Sequence, residues 1–315
     1  MTAPAGSGPE PGVPELSVVV PTYRRPDLLR QCLDALAAQD VERSRFEVVV
    51  VDDGSQDDTT AVLAAASDVV GLTQPANAGP AAARNRGIEA SRGRLVLFLD
   101  DDIAAAPDLV STHLALHAAA GGDPQLGVLG RVDWHPSLTV TPFMHWLDRS
   151  GLQFAYETWL REGPIDPPYA AFYTANLSMP RSLLVDAGGF DERFPYAAFE
   201  DIELAYRLTA RGFRMDYRPA AQAFHTRAMA PADFTMRMER VGESAELLRA
   251  AAPDFPLDDA ELARRVTSRW TRWRLALAAR SGADLARRRH YWAQVGAAYE
   301  RGRQRGRRKA QGSGV

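Results

Sequence analysis

This sequence predicts an α/β fold: a mostly parallel sheet flanked by helices, followed by a helical C-terminal extension. Three observations carry that expectation. The runs Leu16–Val20, Phe46–Val51 and Leu95–Leu99 are strand-sized and almost wholly apolar, as in strands buried on both faces. Stretches with helical spacing separate them over about the first 115 residues, the alternation that builds a parallel sheet. Beyond Pro231 apolar residues recur at spacings of three and four, with no strand pattern between them.

Residues 1–14, rich in Pro, Gly and Ala, read as a flexible leader with neither the basic start nor the apolar stretch of a secretory signal. Leu16–Val20 is the first strand, stopped by Pro21. Pro26 suits the first turn of a helix that continues through Leu29, Cys32, Leu33 and Leu36. Phe46–Val51 is the second strand and ends in Asp52-Asp53-Gly54-Ser55. Thr59–Ala66 reads as a helix, Val69–Leu72 as a strand, Asn77–Pro80 as a turn and Ala81–Ala90 as a helix. Leu95–Leu99 then ends in Asp100-Asp101-Asp102. From Gly130 to Tyr169 the pattern breaks down among five prolines and three tryptophans; the aromatic content argues against disorder and for a functional loop. Phe172–Ser178 is a strand, Ser182–Ala187 a short helix, Gly188–Asp191 a turn and Glu200–Arg211 a helix. Phe213–Tyr217 and Ala221–His225 read as two short strands. Leu262, Val266, Trp270, Trp273 and Leu277 form one helical stripe, and Leu285, Trp292, Val295 and Tyr299 another. Arg301–Val315 reads as a basic, low-complexity, disordered tail. The division is therefore a leader (1–14), a catalytic domain (15–226, split at 115/116 into nucleotide-binding and acceptor-binding halves), a helical extension (227–300) and the tail (301–315).

The 315 residues are 46% hydrophobic and 24% charged, which excludes a wholly disordered chain. No apolar run approaches the roughly 20 residues of a membrane-spanning helix. The single cysteine, Cys32, rules out an intrachain disulfide and fits a reducing, cytoplasmic setting. The net charge of −3 argues against nucleic-acid binding. Its distribution is uneven: residues 261–315 hold 14 arginines and Lys309 against three acids, a net of +12, which leaves −15 on residues 1–260. Such a region could dock on the acidic body of this chain or of a second copy, or attract an anionic membrane surface weakly.

Ligands of parallel sheets bind outside the carboxyl ends of the strands, and two acidic clusters lie there. Asp100 and Asp102 have the D-x-D spacing. Hard divalent cations prefer carboxylate oxygens combined with substrate phosphates. The same triplet could also be a solvated helix-capping turn. Asp52-Asp53-Gly54-Ser55 serves equally as a turn or as a carboxylate facing a nucleobase or ribose. Asn77–Gly87 offers small residues at a helix start, with Arg84 in reach of a phosphate. Glu200-Asp201 open a helix, where acids are favoured by the dipole whether or not one is a base. His225 ends a strand. Neither the dinucleotide fingerprint nor a P-loop occurs, and no G-x-S-x-G elbow is present.

Taken in order, Val18–Arg25, Val50–Ser55, Asn77–Pro80 with Ala83-Arg84-Asn85, Phe98–Asp102, Gly188–Glu192 and Glu200-Asp201 resemble the family 2 glycosyltransferases over roughly Leu16–His225. The resemblance implies the GT-A fold, with a Rossmann-like nucleotide half. It further implies a non-processive enzyme that transfers a sugar from a nucleotide-sugar donor, UDP-linked by expectation, with inversion. It places Pro21, Thr22, Tyr23, Arg25, Asn77, Gly79 and Arg84 around the nucleotide, Asp53 at the base, and Asp100 and Asp101 near ribose and sugar. Asp102, with His225, becomes the ligand of Mn²⁺ or Mg²⁺, and Asp201 the general base. Trp134, Asn176, Gly189, Phe190 and Glu200 fall on the acceptor side. The acceptor itself (glycan, lipid-linked or small molecule) stays open, as do homo-oligomer formation and peripheral membrane contact. The Q-x-x-R-W sequence of processive synthases is absent. A nucleotidyltransferase would want a glycine-rich basic loop where Pro21–Arg25 stand. A non-catalytic sugar-nucleotide-binding module could dispense with the Glu-Asp pair.

Overall fold

The computed structural model describes residues 12–257 and 284–312. A nine-stranded sheet runs through it in the order β3-β2-β1-β4-β8-β6-β9-β5, with β7 added to β9. Strands β1 (Leu16–Thr22), β2 (Phe46–Asp52), β3 (Val69–Thr73) and β4 (Leu95–Leu99) are parallel neighbours, as the apolar runs predict. Every residue of β4 is buried, and so is every residue of β2, Asp52 included. Helices α1 (Pro26–Ala37), α2 (Thr59–Ala65) and α3 (Pro80–Ala90) supply the crossovers. In α1 the buried side chains are Leu29, Cys32, Leu33 and Leu36, the stripe expected of a helix lying on a sheet.

The second half of the sheet is mixed. Between β5 (Ile103–Ala105) and β6 (Leu126–Trp134) lies α4 (Leu109–Ala119). Helix α5 (Pro142–Ser150) and strand β7 (Gly163–Ile165) occupy the proline-rich stretch that reads as irregular in the sequence. Strand β8 (Asn176–Pro180) begins later than expected, and helices α6 (Arg181–Asp186) and α7 (Glu200–Thr209) follow. The two short strands expected at Phe213–Tyr217 and Ala221–His225 are one, β9 (Arg214–His225). Pro219 suggests a break, and the chain absorbs it as a bulge: Tyr217 pairs with Leu129 but Gln222 with Arg131. The register of β9 seats His225 between Ile103 of β5 and Trp134 of β6, one residue from Asp102.

Beyond the sheet, α8 (Pro231–Ala251) and α9 (Asp284–Gly312) lie against each other. The expectation of a disordered tail at Arg301–Val315 is corrected here: residues 301–312 continue the helix. Their glycines and charges explain why. A Cβ on Gly302 would collide with the Glu239 carbonyl, and one on Gly242 with the Tyr299 carbonyl, so the two helices cross at backbone contact. The cations meet acids of α8: Arg301 Nη2 lies 2.6 Å from Glu239, Arg303 Nε 2.9 Å from Glu246, and Lys309 pairs with Glu243. Of the predicted stripe, Val295 and Tyr299 are buried, while Leu285 is exposed. The stripe from Leu262 to Leu277 lies outside the described residues. Phe143, Trp146 and Leu147 of α5, Phe234 and Met238 of α8, and Val295, Ala298 and Tyr299 of α9 form a second core beside the sheet. No helix among the described residues is long and apolar enough to cross a membrane.

Candidate active site

Because β1, β2 and β4 are parallel, their carboxyl ends share one rim. Thr22, Asp53 and Asp100–Asp102 meet there across a cleft of about 400 Å³. All of Pro21, Thr22, Tyr23, Arg25, Asp53, Asn77, Gly79, Arg84, Asp100, Asp101, Asp102, Glu200, Asp201 and His225 line it.

Gly54 makes the turn after β2 with φ of 75°, and a Cβ there would strike the backbone of Ala76. That tight approach brings the Asn77–Gly79 loop onto Asp53. The carboxylate accepts from Ala78 N at 2.7 Å, Gly79 N at 2.9 Å and Gln74 Nε2 at 2.7 Å. Burial outweighs these donors and raises the Asp53 carboxyl above its ordinary range. Asp53 therefore holds the loop at the rim as well as facing the cleft.

The three aspartates after β4 have separate environments. Asp101 turns back to β1, accepting from Thr22 Oγ1 at 2.8 Å and Arg25 Nη1 at 2.9 Å. Burial and the neighbouring Asp102 push it up to about 6 against the pull of Arg25. Asp100 faces Arg84, with Nη2 at 3.1 Å. Asp102 stands toward the cleft, with His225 Nδ1 at 3.7 Å from Oδ1, and Arg227 Nε at 3.4 Å and Arg25 Nη1 at 3.5 Å from Oδ2. Burial alone would raise the Asp102 carboxyl; His225, Arg25 and Arg227 outweigh it and hold the group well below the usual carboxylate range. Among the described residues no three His, Cys, Asp or Glu side chains converge as a metal shell. Asp102 and His225 nevertheless fit half of one. An anionic carboxylate and an imidazole stand side by side in an open cleft, the donor set of a Mn²⁺- or Mg²⁺-like ion whose other positions are filled by phosphate oxygens.

The opposite wall is α7. Phe199, just before it, sits in the left-handed region with φ of 70°, rare for a bulky residue. This turn delivers Glu200 and Asp201 into the cleft together. Glu200 is buried and pairs with the equally buried Arg84 at 2.7 Å, leaving its Oε2 without a partner. Asp201 Oδ1 accepts from Ile202 N at 2.8 Å. Burial first, then the Glu200 charge, push the Asp201 carboxyl up to about 7, opposed by Arg84.

The acceptor-side expectations divide. Glu200 is in the cleft. Trp134 lines a neighbouring cavity, 5.4 Å from the His225 ring. Asn176, Gly189 and Phe190 line neither cavity, and each has a structural task. Asn176 is buried in the bulge, donating to Arg131 O and Ala221 O and bonded to His113. Gly189 makes a turn against Asn85, and Phe190 packs edge-on to Phe98 beneath the Arg84 guanidinium. Residues that sequence reasoning missed also line the cleft, among them Gln153, Phe154, Tyr173, Tyr196, Arg227 and Arg237. They come from loops and α8; Gln153 and Phe154 fall inside the Gly130–Tyr169 stretch read as a functional loop, and Arg227 lies close to His225 in sequence, but none was singled out.

Set beside known proteins, the chain matches the family model described as glycosyl transferase family 2 over residues 17–174. It is 34% identical over 234 residues to validoxylamine A glucosyltransferase of Streptomyces hygroscopicus subsp. limoneus, covering 66% of this chain and 51% of that one. It is 28% identical over 247 residues to pre-mycofactocin glycosyltransferase of Mycobacterium tuberculosis, covering 76% and 48%. The chain thus spans about half the length of the curated relatives it matches. Among solved structures it resembles mannosyltransferase PcManGT from Pyrobaculum calidifontis, in complex with GDP-Man and Mn²⁺, with a TM-score of 0.61 at 20% identity over 96% of this chain and 90% of that one. TarS 1–349 of S. aureus, in complex with UDP-GlcNAc, gives a TM-score of 0.54 at 20% identity over 78% and 69%. The fold is the expected GT-A arrangement.

Proposed function

The chain belongs to glycosyl transferase family 2, and from that premise we propose that it transfers a sugar from a nucleotide-sugar donor, UDP-linked in the first instance, to an acceptor hydroxyl with inversion. One observation carries the reading: two carboxyl groups of the same cleft are tuned in opposite directions. Asp102 is held anionic, and Asp201 is raised toward neutrality. Groups tuned apart in this way mark distinct chemical roles. PcManGT was solved with GDP-Man and Mn²⁺ and TarS with UDP-GlcNAc, which supports the donor class and the use of a divalent ion.

In this scheme the Pro21–Tyr23 segment and the Asn77–Gly79 loop flank the nucleotide, and Asp53 faces the base. Arg25 and Arg227, on either side of Asp102, meet the diphosphate. Asp102 and His225 would hold the divalent ion, which when bound would offset charge on the departing diphosphate. Asp201 takes the proton of the acceptor hydroxyl as its oxygen attacks the anomeric carbon from the face opposite the leaving group. A single displacement of this kind inverts the configuration. A positioned base contributes typically about 10²–10⁴-fold in rate. Arg84 keeps Glu200 fixed and tempers the field on Asp201.

The test is release of free nucleoside diphosphate from a panel of UDP- and GDP-sugars, with Mn²⁺ or with excess EDTA. Asp201→Asn should bind donor as the wild type does and turn over at least about 100-fold more slowly. Full activity in EDTA would remove the metal from the scheme, and a product that retains the donor's anomeric configuration would refute the single displacement.

A further inference from the structure

A second cavity of about 220 Å³ lies between the end of β6, one side of α5 and the segment 153–157, bordering the cleft along Gln153, Phe154 and His225. Among its charged and polar lining stand three aromatic side chains, Trp134, Phe154 and Tyr156. Trp134 lies 5.4 Å from the His225 ring, Phe154 stacks on the same imidazole at 5.6 Å, and Tyr156 stands 5.2 Å from Phe154.

The polar groups of this cavity are out of balance. Arg131 is committed to Asp133, with Nε 2.9 and 2.8 Å from its two oxygens, and to Glu157 at 2.7 Å. Asp148 receives only the neutral indole N–H of Trp134, at 3.0 and 3.1 Å. Gln153 Oε1 is buried with no donor at all, while its Nε2 lies 3.2 Å from His225 Nε2. Three carboxylates line the space against two guanidiniums, Arg131 and Arg149. Burial first, then Glu157 and Asp133, raise the Asp148 carboxyl against the pull of the Trp134 indole and of His145, which also lines the cavity, so a further cation beside it would relieve the site. A buried acceptor without a donor is costly. Whatever fills the cavity must therefore bring N–H or O–H groups, and beside Asp148 a positive one. An aromatic wall suits the apolar face of a saturated ring, and its π-face attracts an ammonium.

We infer that this cavity is a subsite for a polyhydroxylated ring bearing a protonated amine, the part of the acceptor remote from the attacking hydroxyl. As an acceptor subsite it rests on the glycosyl-transfer reading above; as a binding site it rests on Asp148, Gln153 and Trp134 alone. An anionic ring is disfavoured by the carboxylate excess, and a neutral one leaves Asp148 uncompensated.

Three probes of one ring type separate these cases: D-glucosamine, D-glucose and D-glucuronate, each titrated against the full chain at pH 7 without donor and followed by saturation-transfer NMR. Glucosamine should bind at least about fivefold more tightly than glucose, with glucuronate weakest. Asp148→Asn, which keeps an oxygen for the Trp134 indole, should bring glucosamine to the glucose level and leave donor hydrolysis and Tm unchanged. Trp134→Ala should weaken glucosamine and glucose alike. Equal binding of glucosamine and glucose, no binding of either, or a glucosamine affinity indifferent to Asp148→Asn would overturn the assignment. The readouts are independent. Donor hydrolysis lost on Asp201→Asn supports transfer whatever the sugars do. The glucosamine pattern supports the site even where no nucleotide sugar is consumed.

Discussion

Replacing Glu200 by Gln should move the pH dependence of turnover in a direction the structure dictates. As the proposed base, Asp201 must be ionised to accept a proton, so on this reading kcat/KM falls on the acid side with the pKa of that group in the free enzyme. Burial and the adjacent Glu200 place that limb near pH 7; Arg84 opposes them. Glu200→Gln keeps the shape and a carbonyl oxygen for Arg84 but removes one negative charge. Two charges about 5 Å apart at an effective dielectric of about 20 interact by about 3 kcal/mol, roughly two pH units. Water in the open cleft trims this to about one or two. Release of the Arg84 charge toward Asp201 acts in the same direction, because a nearby cation favours the carboxylate. The Ile202 N–H and Arg237 on α8 also act on Asp201, and both are unaltered by the substitution. The acid limb should therefore fall to about pH 5–6, with the plateau rate retained within about tenfold. Nucleoside diphosphate release measured from pH 4.5 to 9 at subsaturating donor reads the limb directly. A limb that stays in place, or moves upward, would mean that Glu200 does not govern the base and that Asp201 is not the group that titrates.

Two further outcomes concern stability. Burial pushes His113 and His117 of α4 down to about 4 from an ordinary value of 6.5, so the unfolded chain takes up those protons first. Stability is full above pH 6.5 and lost as pH falls toward 4, by about 2 kcal/mol per histidine at pH 5; urea titrations at pH 7 and 5 should show it, and His113→Gln should halve the difference. Gly302→Val sets a branched side chain against the Glu239 carbonyl and should lower Tm by several degrees while leaving nucleotide binding near wild type; an unchanged Tm would show that α9 does not pack there.

What the sequence disclosed and what it hid divide along physical lines. β1, β2 and β4 are covered on both faces, so they appear as nearly continuous apolar runs, broken only by Ser17 and Glu47 before their ends, and the acids after β2 and β4 fall on one rim by connectivity alone. That these residues share one cleft was legible for that reason. Asn176 was not, because its partners are the carbonyls of Arg131 and Ala221, joined only through the bulge opposite Gly130. Pro219 made one strand look like two, since a proline is read locally while the bulge is a property of the pair. Arg301–Gly312 looked like a solvated tail because its counter-charges, Glu239, Glu243 and Glu246, lie some sixty residues earlier. Helix α5 hid among prolines and tryptophans whose order depends on a core completed by α9.

That core has a practical consequence for anyone grafting parts between relatives. Trp146 of α5 touches Tyr291 and Trp292 of α9, and Phe143 touches both Tyr291 and Phe234 of α8. The same short α5 carries Asp148 toward the second cavity. A chimaera that exchanges residues 126–157 alone would set a foreign helix on aromatic rings shaped for another, and Asp148 would lose its bearing although no neighbour in the cavity had changed. Residues 126–157 must travel with α8 and α9. Strands β1 to β4 belong to the other core among the described residues and can stay behind with the cleft rim they form.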